Sequence, residues 1–291
     1  MMLEPIEPEI VADRARVVFS ALPSGASSTL APDLVQRGVR VIDLAGDFRL
    51  PAAAYPEWYG FHHPAPEWLD KAVYGLPELF ADQILGAPLI ANPGCFATAA
   101  LLSLAPLLGA GLVSRTMIHV DGKTGLSGAG RVATDSTTFN ASEDSIRPYR
   151  LPKHQHVPEI ERGIELVSGA TASVLFVPHL VPAVRGVLTT SYAPAEEGAT
   201  SESLVECLAE AYKGRRFVRV LKMGVMPDSK RVRGTNVVEL QAVVDPRTST
   251  AVVVATVDNL VKGAAGQAIQ NMNIALGFEE TMALPTLGLY P

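Results

Sequence analysis

The first third of the chain alternates short apolar runs with a stretch of helical spacing. Residues 16–23, 39–44 and 87–91 are apolar runs of strand length, and residues 28–38 are predicted to form a helix. Strands separated by helices are typical of a parallel, doubly wound sheet. The pattern therefore predicts a Rossmann-like α/β domain in this part of the chain.

The pattern becomes rich in strands after residue 94. Two helical segments, 158–167 and 201–212, are predicted on one face of a sheet, and a last helix is predicted over 263–276. The intervening turns allow a mixed or antiparallel sheet to form from five segments, which are 116–120, 173–177, 187–192, 236–244 and 251–257. The expected second domain is therefore of the α+β class.

Composition narrows the class of protein. The 291 residues are 48% hydrophobic and 19% charged, which suits a globular protein with a large core and two domains. The net charge of -6 argues against a general nucleic-acid binder. The short basic run at 230–233 is more typical of a solvated face or a small-anion contact. We expect a small-molecule partner and no nucleic acid.

One uncharged stretch imitates a membrane span. Nothing between Asp82 and Arg115 is charged, which is long enough to cross a bilayer. Pro88, Pro93 and Pro106 interrupt this stretch. They leave a helix of roughly 12–15 residues, a length typical of a buried core helix. The sequence therefore predicts no membrane interaction.

The first residue of that helix is Cys95. A thiol in the first helical turn faces unpaired backbone N–H groups and the positive end of the helix dipole, which stabilise a thiolate. Cys95 is a candidate nucleophile, although a free cysteine is also a common small core residue. Cys207 shares an amphipathic stripe with Leu204 and Leu208 and is predicted to be core. Two cysteines do not suggest a disulfide framework, so we expect a reducing, cytoplasmic location.

A glycine-rich loop follows the strand at 116–120. Gly122, Gly125 and Gly128 have the spacing of a dinucleotide-binding turn, but polar residues follow them instead of an apolar helix. The alternative is a small-residue loop that lets the backbone approach a ligand. No such loop follows the strand at 16–23, where this fold usually carries it.

Seven motifs follow one another along nearly the whole chain. They are VIDLAGDFRL at 41–50, YGLPEL at 74–79, NPGC at 92–95, SGAGR at 127–131, KHQHVPEIE at 153–161, FVPHLVP at 176–182 with RG at 185–186, and DNLVKGAAGQA at 258–268. In this order they resemble the N-acetyl-gamma-glutamyl-phosphate reductase family of the aspartate-semialdehyde dehydrogenase superfamily. The resemblance implies an NADPH-dependent reduction of an acyl phosphate to a semialdehyde in arginine biosynthesis.

The implied reaction gives several residues a role. Cys95 is expected to attack the acyl carbon and form a thioester, which a hydride then reduces. The N-terminal amides of its helix are expected to stabilise the oxyanion. Arg49 and Arg185 are the implied phosphate-binding residues, since a guanidinium grips phosphate in a fork.

The general acid or base is expected at His154 or His156. We favour His156, because Pro158 fits the first position of the next helix and leaves His156 just outside a helix N-terminus, where a neutral imidazole is favoured. His154 stays open as the base or a substrate contact, and Tyr149 and Glu159 are further substrate-binding candidates. The histidine pair lacks a third ligand at usable spacing, so no metal is expected.

The resemblance also implies a cofactor site and an assembly. Residues 1–94 and 263–291 are expected to form the dinucleotide-binding domain, and residues 95–262 the catalytic and oligomerisation domain of a homodimer or homotetramer. The residues implied in NADP(H) binding are Ser127, Gly128, Ala129, Gly130, Asn259, Lys262 and Gln267.

The sequence departs from the family at its beginning. Family members open with a strand, a glycine-rich loop and a helix, and only residues 1–15 precede the first predicted strand here. We therefore expect an incomplete parallel sheet and either a misassigned start codon or a fragment. If the chain does begin at Met1, we expect weak or absent binding of NADPH.

Three alternatives stay open. An aminoadipyl-phosphate reductase of lysine biosynthesis shares the chemistry. A Cys-His hydrolase or acyltransferase uses the same thiolate without a nicotinamide. An inactive remnant keeps the fold without turnover.

Overall fold

The structure is a computed structural model that describes residues 6–130, 132, 134, 135 and 138–288. The chain divides into two compact units. The first unit comprises Met1–Pro93 and Gln267–Met282, and the second comprises Gly94–Gly266 and Ala283–Pro291.

The first unit is built on a four-stranded sheet in the order β1-β2-β4-β3, and every neighbouring pair is parallel. This confirms the predicted parallel α/β domain. Its strands are β1 (Val17–Ser20), β2 (Arg40–Asp43), β3 (Val73–Tyr74) and β4 (Leu89–Ala91). Its first four helices are α1 (Pro8–Arg14), α2 (Ser27–Gln36), α3 (Tyr55–Trp58) and α4 (Pro77–Ile84).

Strands β2 and β4 of this sheet are buried on both faces. Val41 and Leu89 belong to one apolar cluster, and the next residues along the same strands, Ile42 and Ile90, belong to another. Successive side chains of a strand point to opposite faces, so apolar clusters on both faces require continuous apolar runs. That requirement explains why unbroken apolar segments predicted these strands.

The second unit holds a seven-stranded mixed sheet in the order β6-β7-β5-β8-β11-β10-β9. Two neighbouring pairs are parallel, β5 with β7 and β9 with β10, and the others are antiparallel. The predicted mixed sheet is therefore confirmed. The strands are β5 (Ile118–Thr124), β6 (Arg147–Pro148), β7 (Val174–Leu180), β8 (Val187–Pro194), β9 (Val218–Val220), β10 (Val238–Asp245) and β11 (Thr250–Val257).

Helices cover one face of this sheet. Helix α5 contacts β8 and β11, while α7 packs on β7 and α8 on β10. The helices of the second unit are α5 (Cys95–Gly109), α6 (Phe139–Ser142), α7 (His156–Ser168), α8 (Ser201–Ala211) and α9 (Ser229–Val232). A π-helical turn at Val261–Ala265 leads into α10 (Gly266–Ala275), which from Gln267 onwards belongs to the first unit.

Helix α5 is the buried helix that the uncharged stretch predicted. Nearly all its residues between Phe96 and Leu108 are inaccessible to solvent. Among the described residues, no helix is long and apolar enough to span a bilayer.

Candidate active site

Cys95 is the first residue of helix α5. Gly94 precedes it as the N-cap in an extended conformation, and the Thr98 N–H donates to the Gly94 carbonyl at 2.8 Å to begin the helix. The Cys95 side chain is half-buried. The thiol therefore lies at the helix end where backbone N–H groups and the helix dipole favour negative charge.

The first turn of helix α7 lies against this helix start. The Gly94 N–H donates to Oε1 of Glu159 at 2.8 Å, and the Glu159 side chain is fully buried. A Cβ atom at Gly94 would lie 2.2 Å from Nε2 of His156, so the imidazole occupies the space that a side chain at position 94 would need. Glu159 and His156 are three residues apart and share one helix face. Together they hold the peptide that leads into Cys95.

The predicted start of α7 was wrong by two residues. The helix begins at His156, with Gln155 as the N-cap, and Pro158 lies inside the first turn. Proline is tolerated there because the first N–H groups of a helix have no intrahelical acceptor. His156 is therefore the first helical residue instead of a residue outside the helix.

His154 is a buried, neutral imidazole. Its Nδ1 accepts the His156 backbone N–H at 3.1 Å, which leaves the ring proton on Nε2. Burial lowers the pKa of His154 from 6.5 to about 2, and the neighbouring His156 and Arg150 act in the same direction, while Glu159 opposes them. The Phe176 ring packs edge-on against His154. This ring therefore stays uncharged at neutral pH.

The burial of His154 predicts a specific acid sensitivity. Because the folded protein keeps His154 neutral while the unfolded chain protonates it below about pH 6.5, stability is lost as pH falls from 6.5 towards 2. Each pH unit in that range is expected to cost up to about tenfold in the folding equilibrium constant. Urea unfolding at pH 7.5 and 5.5 of the wild type and His154→Gln measures this. The loss is expected to be smaller in the variant, and equal losses contradict the prediction.

The side chains of Cys95, His154 and His156 line one cavity of about 360 Å³ within the second unit. The residues predicted from sequence that line it are Cys95, His154, His156, Tyr149, Gly128 and Ala129. Thr124, Arg150 and Gln155 also line it and were missed. Gln155 lies inside the KHQH motif, and Arg150 directly follows Tyr149, so the position next to a predicted site residue was the available signal.

Tyr149 lies close enough to Cys95 for the two groups to interact electrostatically. Burial raises the pKa of the Tyr149 hydroxyl, and a negative charge on Cys95 raises it further. The tyrosine therefore stays protonated beside a thiolate and can donate a hydrogen bond.

The small-residue loop after β5 is fixed by its neighbours. Residues Leu126–Ala129 form a 3₁₀ turn, and the Ser127 N–H donates to the Val184 carbonyl at 3.1 Å. Asn259 joins two segments, because its Oδ1 accepts the Gly186 N–H at 2.8 Å and its Nδ2 donates to Ser127 Oγ at 3.0 Å. These hydrogen bonds tie the loop to residues 184–186 and to Asn259. Gly130, with φ 92°, ends the turn, and Arg131 of the motif lies outside the described residues.

The other residues implied in cofactor binding are buried. Lys262 is inaccessible to solvent, with its ammonium 5.7 Å from the Phe217 ring centre. Gln267 lies in the first unit and donates from Nε2 to the Gly75 carbonyl at 3.0 Å. Both side chains have structural contacts inside their own units.

The two predicted phosphate-binding arginines belong to different units. Arg49 lies in the first unit and donates to the carbonyl oxygens of Asn92 at 2.8 Å and Leu44 at 2.9 Å. Arg185 lies 3.8 Å from the buried Asp258 carboxylate, in a separate cleft of about 630 Å³. Lys230 and Arg233 line the same cleft, which is therefore strongly basic.

Cys207 differs from Cys95 in its surroundings. Its Sγ faces the Pro106 carbonyl at 3.7 Å, and burial raises the pKa of its thiol. Leu204 and Leu208 of the same stripe are fully buried, whereas Cys207 itself is half-buried. Within the described part of the chain, no group of His, Cys, Asp and Glu residues is arranged to hold a metal ion.

Solved structures share this fold. Aspartate semialdehyde dehydrogenase II from Vibrio cholerae superimposes with a TM-score of 0.70 at 17% identity, covering 90% of this chain and 80% of the other. An aspartate semialdehyde dehydrogenase from Candida albicans, solved with NADP, gives a TM-score of 0.63 at 17% identity, with 89% and 76% covered. At this identity the likeness describes the fold alone.

Two family models match successive parts of the chain. The semialdehyde dehydrogenase NAD binding domain matches residues 1–87, and the semialdehyde dehydrogenase dimerisation domain matches residues 95–259. The fold and the cysteine site thus define a two-domain dehydrogenase of the semialdehyde dehydrogenase class. Full-length relatives narrow this class further, and the chain belongs to the N-acetyl-gamma-glutamyl-phosphate reductase family.

Two relatives that carry this name illustrate the match. The protein from Desulforudis audaxviator is 44% identical over 292 aligned positions, which cover 100% of this chain and 84% of the relative. The protein from Brevibacillus brevis is 44% identical over 291 positions, with 99% and 84% covered. The resemblance inferred from the motifs is confirmed.

Proposed function

We propose that this protein reduces N-acetyl-gamma-glutamyl phosphate with NADPH to N-acetylglutamate semialdehyde and phosphate. The observation that carries the proposal is the placement of Cys95 at a helix start, in one cavity with His154 and His156. A nucleophile with an imidazole beside it is the arrangement that covalent acyl transfer requires. The relatives supply the substrate by their name.

Cys95 and His156 carry the covalent steps in this proposal. His156 accepts the thiol proton, and the thiolate forms a bond with the acyl carbon. The bond between that carbon and the phosphate oxygen breaks, and phosphate leaves with the electron pair. After reduction, collapse of the hemithioacetal breaks the carbon–sulfur bond, releases the aldehyde and restores the thiolate.

The oxyanion of these steps needs hydrogen-bond donors. The N–H groups of the first turn of α5 are directed to the space beside Cys95. The His154 proton on Nε2 is a second donor, since its Nδ1 already accepts a backbone N–H. We assign His154 to oxyanion or substrate binding and His156 to proton transfer.

The small residues of the cavity fit the nicotinamide end of NADP(H). Gly128 and Ala129 leave room for a flat ring beside Cys95, and Ser127 and Asn259 hold that loop in place. NADPH, when bound, supplies the hydride. We propose that residues 1–94 and 263–291 bind the dinucleotide and that residues 95–262 carry catalysis and oligomerisation.

Other site residues take supporting roles in the proposal. Glu159 is a positioning residue that holds the Gly94 N–H. Arg185 and its basic cleft suit an anionic group of the substrate, and Arg49 stays a proposed substrate-binding residue. The need for a reduced thiol favours a cytoplasmic location.

The reverse reaction tests this function. Purified protein is expected to reduce NADP when N-acetylglutamate semialdehyde and phosphate are both present, and phosphate omission should abolish the signal. A stronger response to an aminoadipate semialdehyde would favour the lysine-pathway alternative. Thioester hydrolysis without any phosphate-dependent NADP reduction would point to a hydrolase instead.

We also propose that the sheet face opposite the helices forms the contact of a homodimer or homotetramer. Paired positions place Leu175, His119, Tyr192, Val252 and Val243 in one row across β7, β5, β8, β11 and β10. Leu175 is 51% exposed and Tyr192 is 36% exposed. The exposed Leu175 and Tyr192 share this row with the half-buried Val243 and Val252, and apolar side chains grouped in this way on a surface are typical of an interface.

A charge in this row is expected to separate the subunits. Tyr192→Glu buries unpaired carboxylates in a symmetric contact, so light scattering after size exclusion should show a shift to monomer at micromolar concentration. Leu166→Glu is the matched control, because Leu166 is 45% exposed but lies on helix α7. A Tyr192→Glu protein with the wild-type mass would exclude this face.

A further inference from the structure

The wall of the cavity beside Cys95 includes a solvent-exposed residue with a permanent positive charge, Arg150, that no sequence motif marked. Among the described residues that line the cavity, Arg150 is the one lysine or arginine, and none is an aspartate or glutamate. The whole chain has a net charge of -6, whereas the charged residues that line this cavity carry a net positive charge. An anion that enters the cavity meets a guanidinium and no fixed carboxylate.

The backbone at Arg150 is held in an unfavourable conformation. Its φ of 50° lies in the left-handed region, which residues with a side chain adopt at an energetic cost. Such strain persists where the surroundings fix it, and it concentrates at ligand sites. The neighbouring residue, Tyr149, lines the cavity, so this turn is part of the cavity wall.

The guanidinium of Arg150 is also directed by a side-chain contact. Its Nη1 donates to Oε1 of Gln155 at 2.8 Å, and both residues line the cavity. The charge of Arg150 adds to the burial that lowers the pKa of His154, and it partly opposes the burial that raises the pKa of Tyr149. A guanidinium carries five N–H donors, so one bond to Gln155 leaves the group able to grip an oxyanion as well.

We propose that Arg150 binds the phosphoryl group of the substrate beside Cys95; this rests on the proposed acyl-phosphate chemistry. The phosphoryl oxygen is bonded to the carbon that Cys95 attacks, so the phosphoryl group must lie in the same cavity as the thiol. When the carbon–oxygen bond breaks, the departing phosphate keeps the electron pair, and Arg150 stabilises that charge. The group that Arg150 contacts is the leaving group.

The reverse reaction isolates the phosphate contact, because phosphate and semialdehyde are then separate substrates. Arg150→Gln is expected to raise the KM for phosphate about 10–100-fold, the loss typical of a charged hydrogen bond, with the KM for semialdehyde changed less than about twofold. Arg150→Lys should restore most of the phosphate affinity. Arg150→Gly relieves the left-handed backbone and removes the charge, so a KM for phosphate as high as in Arg150→Gln assigns the effect to charge.

Two results would overturn this proposal. One is an unchanged KM for phosphate in Arg150→Gln, and the other is a rise confined to the KM for semialdehyde, which would place the substrate carboxylate there instead.

A second readout does not depend on turnover. Inorganic phosphate is expected to slow alkylation of Cys95 by iodoacetamide in the wild type but to have little effect in Arg150→Gln. Protection by phosphate without any reductase activity would sink the proposed function and leave the Arg150 site standing. Equal protection in both proteins would sink the Arg150 site.

Discussion

Cys95→Ser is expected to lower kcat of the phosphate-dependent reaction by roughly 10⁴-fold or more, the scale seen when a covalent nucleophile is removed. A serine hydroxyl is not ionised at the helix N-terminus at neutral pH, whereas a thiol is readily stabilised there as a thiolate. The side chains are close in size, so the fold should be retained. Initial rates of NADP reduction measure the loss, and thermal unfolding checks the fold.

Cys207→Ser is the matched control for this experiment. Cys207 is half-buried in helix α8 and its Sγ contacts the Pro106 carbonyl. The same chemical change should therefore affect stability slightly and leave kcat within about twofold, as for a substitution outside the active site. If Cys207→Ser were inactive and Cys95→Ser active, Cys95 would not be the nucleophile.

Gly94→Ala is expected to lower kcat by about 10²–10³-fold, the scale of a misplaced general base. The new Cβ would lie 2.2 Å from Nε2 and 2.7 Å from Cδ2 of His156, far inside contact distance. The Gly94 backbone, at φ -72° and ψ 153°, suits alanine, so no backbone strain accompanies the change. The imidazole must move, and the Phe96 ring, which packs against it in a T-shaped arrangement, limits where it can go.

Gly109→Ala separates this effect from a general effect of added methyl groups. Gly109 is the last residue of the same helix, and nothing lies within 4 Å of its added Cβ. Alanine is the better helix former, so this variant should be as active as the wild type and slightly more stable.

In Gly94→Ala, the pH dependence of kcat should also lose the ionisation of the base. Wild-type kcat and pH profile in Gly94→Ala would contradict the role of His156.

The sequence predicted those elements of the fold whose pattern extends over enough neighbouring residues. Strands β2 and β4 were recognised because their two apolar faces demand unbroken apolar runs. The short strands β3, β6 and β9 were missed, since two or three residues carry too little pattern. The start of α7 was misplaced because proline is compatible with several positions of a first turn.

The same reasoning separates the parts of the site. Cys95 was found from its position at a helix start, which is a local feature. Arg150 was missed because a lone arginine outside a motif resembles any surface arginine until the fold brings it to the cavity. Arg185 was nominated by motif and lies in a separate cleft of the second unit, while Arg49 belongs to the first unit.

The sequence by itself determined the types of most elements, the candidate nucleophile and the family, because apolar periodicity, helix-start position and ordered motifs are readable along the chain. Only the tertiary structure decided that Glu159 holds the Gly94 amide, that His156 fills the space beside it, and that His154 is kept neutral. Those properties depend on burial and on contacts between distant segments. The packing of α7 against α5 creates the burial and these contacts together, and no local sequence pattern encodes that packing.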